Sequence, residues 1–250
     1  MPFSRCPFPL QPVFLTVLVA TFLTLPPAFA QGTCSSDGQR APKALLERFI
    51  NADCATCWAD AAATSKARAG ELALDWIVPS PQGDDAPLSA AASRDALDRL
   101  ASLRQSPPAA TANFSHKIAA SPFKLRVAHG VALGGYMGAS IELTARLGTA
   151  LPGEPLTAWL VLVEAVPAGT DGTPVTRNLV RNAFKSSWNI NSSLSISDQS
   201  TKRPTPPNRL YESRPMSIPV GANPDRLQVI GWVEDAKGRV IAGAGSVCDK

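Results

Sequence analysis

The second half of the chain alternates apolar and polar residues in several short runs, a pattern typical of half-buried β-strands. Ile141–Leu147 has an apolar residue at every second position. Thr157–Val166 is apolar on both faces and predicts a central strand. Arg226–Glu234 and Arg239–Val247 predict a closing hairpin with its turn at Asp235–Gly238. Because loops rich in proline and glycine separate these strands, this half is predicted to be β-sandwich-like.

The first half mixes strand and helix patterns. Lys43–Ile50 has some helical spacing, but the turn and the cysteines that follow it favour a strand. A helix is predicted from about Cys54 to about Ala69, because this run is rich in alanine and Gly70 can end it. Leu72–Pro79 is apolar and bounded by glycine and proline, which predicts a buried strand.

A second helix is predicted before Pro107. Asp85 can cap this helix and Pro87 suits its first turn. Apolar residues follow at three- and four-residue steps: Leu88, Ala92, Ala96, Leu100 and Leu103. The order strand–helix–strand–helix predicts a right-handed α/β unit in this half.

The first thirty residues have the layout of an export signal. Arg5 is their only charge, an apolar stretch covers Val13–Leu25, and Ala28–Ala30 offers the small residues that signal peptidase recognises. Cleavage is predicted after Ala30, so a periplasmic or secreted protein is expected. An uncleaved membrane anchor is disfavoured because the apolar stretch is short and Pro26–Pro27 interrupts it. No stable membrane anchor is expected after cleavage.

Charge and composition narrow the class of protein. The formal charge of +4 becomes +3 without Arg5, which is too weak and too evenly spread to indicate a nucleic-acid partner. With 23 prolines, 17 glycines and 45% apolar residues, the chain is globular and rich in loops. No catalytic triad, phosphate-binding loop or pair of carboxylates is indicated by the sequence, so hydrolase and nucleotide-binding functions lack support.

Four cysteines remain once Cys6 leaves with the signal peptide. An even number of cysteines in an exported protein predicts two disulfides. The simplest pairing joins Cys54 to Cys57 and Cys34 to Cys248, since chain termini often lie close together at a domain surface. The spacing leaves two other pairings open.

Cys54-Ala-Thr-Cys57 is the candidate catalytic site. Two thiols separated by two residues can close a small disulfide and reopen it by thiolate exchange. At a helix N-terminus Cys54 would be the attacking thiol and Cys57 the resolving partner. Asp53 opposes this role because an adjacent carboxylate raises the pKa of the Cys54 thiol. The pair is therefore either a weakly oxidising redox centre or a structural clip, that is, a disulfide without a redox role.

Other assignments for the pair lead to different partners. Two thiolates and a histidine could hold zinc or copper, but neither His116 nor His129 stands at a motif spacing from the cysteines. No metal and no cofactor is predicted. A redox pair implies a protein partner with a thiol or a disulfide. The alternative is a non-enzymatic exported binding or scaffold protein.

Several segments carry a resemblance to a known family. Leu46–Phe49 precedes Cys54–Cys57, and Ala59–Asp60 follows closely. These segments resemble a family of secreted bacterial proteins of unknown function with a thioredoxin-like fold, in which a β-domain completes the chain. Arg177–Arg181 and Leu227–Asp235 resemble two later segments of that family.

The resemblance implies an α+β protein of three parts. Residues 1–30 would be the signal peptide, residues 31–120 a thioredoxin-like α/β domain, and residues 121–250 an all-β, sandwich-like domain. Two residues depart from the usual thioredoxin pattern of a tryptophan before the first cysteine and a proline before the second. These residues are Asp53 and Thr56.

Thioredoxin-like folds also place a cis-proline beside the disulfide. Pro122 is the best candidate for this proline, because Phe123–Ala128 then reads as a strand that turns at His129-Gly130. In the alternative, Pro122–Leu147 belongs wholly to the β-domain.

Overall fold

The computed structural model describes residues 34–62, 64–189 and 208–248. The predicted signal peptide, residues 1–30, and its cleavage site lie outside these ranges. The described residues form eleven strands and two α-helices. The strands are β1 (Cys34–Ser35), β2 (Ala44–Asn51), β3 (Glu71–Val78), β4 (Thr111–Lys117), β5 (Phe123–Leu133), β6 (Tyr136–Ala145), β7 (Leu156–Val166), β8 (Arg177–Trp188), β9 (Arg209–Ser217), β10 (Leu227–Glu234) and β11 (Val240–Gly245), and the helices are α1 (Ala55–Ala59) and α2 (Arg94–Ser102).

The strands form two sheets. One sheet has four strands in the order β1-β5-β6-β9, and the other has seven in the order β11-β10-β7-β8-β3-β2-β4. β2 and β3 pair in parallel, and β3 also pairs in parallel with β8. The seven-stranded sheet thus joins strands from both sides of residue 120, within one compact unit over residues 31–250.

The predicted α+β fold with a thioredoxin-like N-terminal half is therefore wrong. The protein is mostly β, with two sheets, and its early strands are part of the larger one. The prediction of a separate α/β half failed because β3 also pairs with β8. This pairing joins Asp75 to Leu179, which are about a hundred residues apart in the sequence. Local periodicity cannot indicate such a partner.

Both helices are shorter than predicted. α1 ends at Ala59, because Asp60 adopts an extended backbone and its carboxylate accepts a hydrogen bond from the Ala62 amide at 2.7 Å. The alanine-rich run beyond it has no broad apolar face to bury, so helix propensity alone does not extend the helix. α2 is capped by Ser93, whose hydroxyl accepts from the Asp95 amide at 3.0 Å, and not by Asp85.

Most of the predicted strands are confirmed. β2 and β3 lie where the apolar runs predicted them, as do β6, β7 and the β10–β11 hairpin. β4 was missed by the sequence analysis, as were β1, β8 and β9. The β4 run Thr-Ala-Asn-Phe-Ser-His-Lys is only half-buried, because it forms an edge strand that pairs with β2 alone. An edge strand gives a weak hydrophobic signal.

Pro122 does not occupy a thioredoxin-like position. All peptide bonds in the described part of the chain are trans, and Pro122 leads into β5 of the four-stranded sheet. β5 continues through His129 and Gly130 and turns at Gly134–Gly135. The cis-proline hypothesis is wrong, and β5 and β6 are strands of the smaller sheet.

The two sheets pack face to face around an apolar core. Leu125, Val127 and Ile141 of the smaller sheet lie in one cluster with residues of β7, β10 and β11. Gly231 of β10 marks a close approach between the sheets. A Cβ atom at this position would lie 2.7 Å from Val127 Cγ1 and 2.9 Å from Ile141 Cδ1.

The predicted disulfide between Cys34 and Cys248 is confirmed, with the Cα atoms 4.2 Å apart. Ser35 and Val247 pair beside it through two backbone hydrogen bonds of 3.0 and 2.8 Å. β1 belongs to the four-stranded sheet, whereas Val247 follows β11 of the seven-stranded sheet. The disulfide therefore links the two sheets covalently.

Candidate functional site

Cys54 and Cys57 lie just after the end of β2. The Cys54 amide donates to the Asn51 carbonyl, and the Asp53 amide donates to the Asn51 side-chain oxygen, both at 2.9 Å. These bonds close a tight turn that brings Cys54 to the N-cap of α1. Cys57 lies inside this five-residue helix, so the pair sits between strand and helix as predicted.

The two cysteines form the second predicted disulfide, which is confirmed, with Cα atoms 5.3 Å apart. Both residues are half-buried. Cys57 packs against an apolar cluster that includes Ile50, Trp58 and Leu179. The Cys54 sulfur lies 3.5 Å from the Thr56 hydroxyl. Cys54 therefore lies at the N-terminal edge of the helix, whereas Cys57 packs on the core.

One carboxylate oxygen of Asp53 is engaged in a hydrogen bond. This oxygen accepts a hydrogen bond of 2.5 Å from the Ser80 hydroxyl, in the loop after β3. The negative charge nevertheless remains next to Cys54 in the chain. A carboxylate at that position disfavours a thiolate at Cys54.

Arg177, the first residue of β8, ties the disulfide loop to the sheet. Its side chain is 1% exposed. Nη2 donates to the carbonyls of Cys57 and Trp58 at 3.3 and 2.9 Å, and to the Thr64 hydroxyl at 2.7 Å. Nε donates to the Thr173 hydroxyl at 3.0 Å. One guanidinium thus fixes three points of the loop that carries the cysteines.

A buried carboxylate holds Arg177 in place. Asp75 of β3 is fully buried and accepts hydrogen bonds from Arg177 Nη1 at 3.1 Å, from Arg48 Nη2, and from the Asn178 amide at 2.9 Å. Burial lowers the pKa of Arg177, and the Asp75 carboxylate opposes this shift. Two arginines and one carboxylate are therefore packed beneath the disulfide loop.

Trp58 provides the apolar part of the same anchor. Its indole is 8% exposed, and Nε1 donates to the Asp171 carbonyl at 2.8 Å. The Arg177 guanidinium carbon lies 4.7 Å from the ring centroid, a cation–π distance. The loop is therefore held on both sides by contacts that do not involve the sulfur atoms.

The sequence analysis missed Arg177 and Asp75 as parts of the site. The sequence analysis named Arg177 only as part of a segment that resembles a known family, and it gave this residue no role. Asp75 is the single charged residue between Leu72 and Pro79, in a run otherwise suited to a buried strand. A charge inside such a run signals a buried partner, because an isolated buried carboxylate is strongly unfavourable.

A second buried charge cluster lies under α2. Arg99 donates to Glu47 at 2.8 and 2.7 Å and to Glu234 at 2.7 Å. Its guanidinium carbon lies 5.0 Å from the ring centroids of both Trp159 and Trp232. His116 lies 3.1 Å from Glu47, far in sequence from any cysteine pair. This cluster joins α2 to the sheet.

His129 lies beside the other disulfide. It is directly opposite Cys34 in the β1–β5 pairing, and one of its ring nitrogens and the sulfurs of Cys34 and Cys248 lie within 4.8 Å of one another. Both sulfurs are bonded to each other, so they offer no thiolate to a metal ion in this state. Burial lowers the pKa of His129, and a hydrogen bond to the Gly130 carbonyl opposes the shift.

No helix in the described ranges is long and apolar enough to cross a membrane. Two disulfides are compatible with an exported protein, since disulfides persist in oxidising compartments.

Comparison with known proteins gives one distant structural match. No protein-family model matches the chain, and no curated protein matches it. HBP35 of Porphyromonas gingivalis is similar over 83% of this chain and 76% of its own, with 12% sequence identity and a TM-score of 0.48. A likeness of this size establishes neither a shared family nor a shared function, so the family resemblance stays a prediction.

Proposed function

We propose that the protein is an exported thiol–disulfide exchange protein that acts through Cys54 and Cys57 on a protein thiol or disulfide. The observation that carries this proposal is the anchoring of the disulfide loop. Arg177 binds its backbone at Cys57 and Trp58, and Trp58 is buried beneath it. The loop therefore keeps its position when the disulfide opens, which a reversible redox centre requires.

Chain entropy supports the same conclusion. A disulfide that closes a loop of only four residues restricts the unfolded chain little, about 2 kcal/mol on the chain-entropy account, against about 5 kcal/mol for a loop of some two hundred residues. Cys34–Cys248, with a sequence separation of 214, has the structural role on this account. Cys54–Cys57, with a separation of 3, adds little to a loop that is already fixed.

The exchange proceeds in two balanced steps. The Cys54 thiolate attacks a disulfide of the partner, forms a mixed disulfide with one partner sulfur and releases the other as a thiolate. The Cys57 thiolate then attacks the Cys54 sulfur and releases the second partner thiolate. Two electrons pass from the pair to the partner, which is reduced, while Cys54–Cys57 is oxidised. The reverse sequence oxidises a dithiol of the partner.

The neighbouring side chains influence the reduction potential of the Cys54–Cys57 pair. The Thr56 hydroxyl, 3.5 Å from the Cys54 sulfur, is placed to donate a hydrogen bond to a thiolate. Asp53 acts in the opposite direction through its charge. A thiolate that is poorly stabilised favours the disulfide, so we expect a weak oxidant.

The test uses the mature chain in a glutathione redox buffer, with alkylation and peptide mass mapping. The Cys54–Cys57 pair should equilibrate with glutathione while Cys34–Cys248 stays closed. Cys57→Ser should accumulate a mixed disulfide at Cys54, and Cys54→Ser should form none at Cys57. The double variant Cys34→Ser/Cys248→Ser is the control and should keep the exchange. No exchange in the wild type, with equal losses of stability in Cys54→Ser and Cys57→Ser, would identify a structural clip instead.

A further inference from the structure

A large apolar cleft lies apart from the disulfide loop. It has a volume of about 1130 Å³ and opens where edge strand β11 faces the segment between β4 and β5. Leu72, Ile118, Phe123, Ile230 and Ile241 contribute apolar side chains to its walls. Ligand sites in proteins are commonly apolar clefts of several hundred cubic ångströms. Neither Cys54 nor Cys57 lines this cleft.

Polar side chains in the cleft are largely occupied within the protein. Asn178, Ser121, Ser246 and Ser36 each form a hydrogen bond of 2.7 to 3.1 Å with a backbone group. Because these side chains already form hydrogen bonds within the protein, they do not require a polar ligand. A sugar brings many hydroxyl groups, which such side chains would leave unpaired. The walls therefore suit a hydrocarbon chain.

The mouth of the cleft is strongly basic. Five exposed cationic side chains line it, against one carboxylate, Glu71. The five are Arg40, Lys43, Lys117, Lys124 and Arg146. None of them forms an ion pair with any residue in 34–62, 64–189 or 208–248. Unpaired cations beside an apolar cavity favour an anionic group at its entrance.

We propose that this cleft binds a free long-chain fatty acid, with the hydrocarbon chain inside and the carboxylate at the basic mouth. The apolar walls supply the affinity through burial of methylene groups. The cations at the mouth supply preference for a charged head over a neutral one. This binding is independent of the thiol chemistry, so either proposal can fail without the other.

The test is titration calorimetry of the mature protein with oleate, oleyl alcohol and octanoate. Oleate should bind most tightly, oleyl alcohol more weakly because it lacks the charge, and octanoate more weakly because it buries fewer methylenes. Lys117→Glu/Arg146→Glu should lower oleate affinity about tenfold, which corresponds to about 1.4 kcal/mol. The control Lys66→Glu/Lys237→Glu, with exposed lysines outside the cleft, should bind as the wild type does.

A steric pair of variants tests the location. Ala120→Trp adds bulk at an exposed position that lines the cleft and should lower oleate affinity, whereas Ala109→Trp, exposed and outside the cleft, should not. Circular dichroism confirms that each variant is folded. Cys54→Ser/Cys57→Ser should bind oleate normally. Equal oleate affinity in all variants, or binding to anionic phosphatidylglycerol vesicles with none to free oleate, would overturn the proposal.

Discussion

Arg177 binds Trp58 twice, through its guanidinium carbon 4.7 Å from the ring centroid and through a hydrogen bond of 2.9 Å from Nη2 to the Trp58 carbonyl. One cation thus holds both the side chain and the backbone of the residue that follows Cys57. The segment that carries the cysteines is therefore anchored by contacts other than the bond between the sulfurs.

Arg177→Gln should lower the free energy of unfolding by about 3–5 kcal/mol, because it leaves Asp75 buried with one charged partner fewer. The matched control is Arg226→Gln. Arg226 pairs with Asp171 in the same region, but both side chains are substantially exposed, so the loss should be about 0–1 kcal/mol. Urea unfolding of both variants measures the difference. Equal effects would contradict an anchoring role for Arg177.

The two disulfides should contribute unequally to stability. Cys34→Ser/Cys248→Ser should cost up to about 5 kcal/mol, and Cys54→Ser/Cys57→Ser about 2 kcal/mol or less. The reason is loop length, since the sequence separations are 214 and 3. Thermal unfolding of the two double variants compares them directly. A larger loss in the second variant would favour the structural clip at Cys54–Cys57.

His129 should make stability fall at acidic pH. Burial lowers its pKa below the ordinary 6.5, so below that pH the unfolded chain takes up a proton before the folded protein does. The free energy of unfolding should therefore decrease as the pH falls from 6.5 toward the folded-state pKa, and level off below it. His129→Asn should remove this part of the slope. Urea unfolding between about pH 7 and pH 5 measures it, and identical slopes in both proteins would contradict the prediction.

Gly231→Ala should destabilise the protein by about 1–3 kcal/mol through overpacking between the sheets. The new Cβ would lie 2.7 Å from Val127 Cγ1. Val127→Ala should cost less stability in the Gly231→Ala background than in the wild type, because it removes the clashing Cγ1. Gly138→Ala is the control, since a Cβ there meets no atom within 4 Å. Unfolding measurements on the two single variants, the double variant and Gly138→Ala test this, and a neutral Gly231→Ala would show that the sheets can move apart at no cost.

Several strands could be predicted from the sequence because their apolar residues form a continuous or an alternating run, whereas β4, β8 and β9 were missed. β7 is apolar on both faces, and it is central and buried. The helix after Cys57 was overestimated, since alanine propensity carries no information about a packing partner. The predicted fold class was wrong because it did not include the pairing of β3 with β8, which depends on residues distant in sequence.

Some features of the candidate site could likewise be predicted from the sequence, and others could not. Both disulfides match the simplest pairing predicted from cysteine number and spacing, which had left two other pairings open. The contact between Arg177 and the Cys57 carbonyl joins residues 120 positions apart, and no local pattern indicates it. His129 reaches Cys34 only through the register of β1 on β5, which the sequence analysis did not include.

The bond between Cys34 and Cys248 has a topological consequence. It closes most of the chain into a covalent ring, because the two cysteines are 214 positions apart in a sequence of 250 residues. A single cut by a protease anywhere inside this ring leaves one molecule whose two pieces separate only after reduction. In an environment rich in proteases, the protein can therefore be cleaved once in a loop and still keep both sheets together.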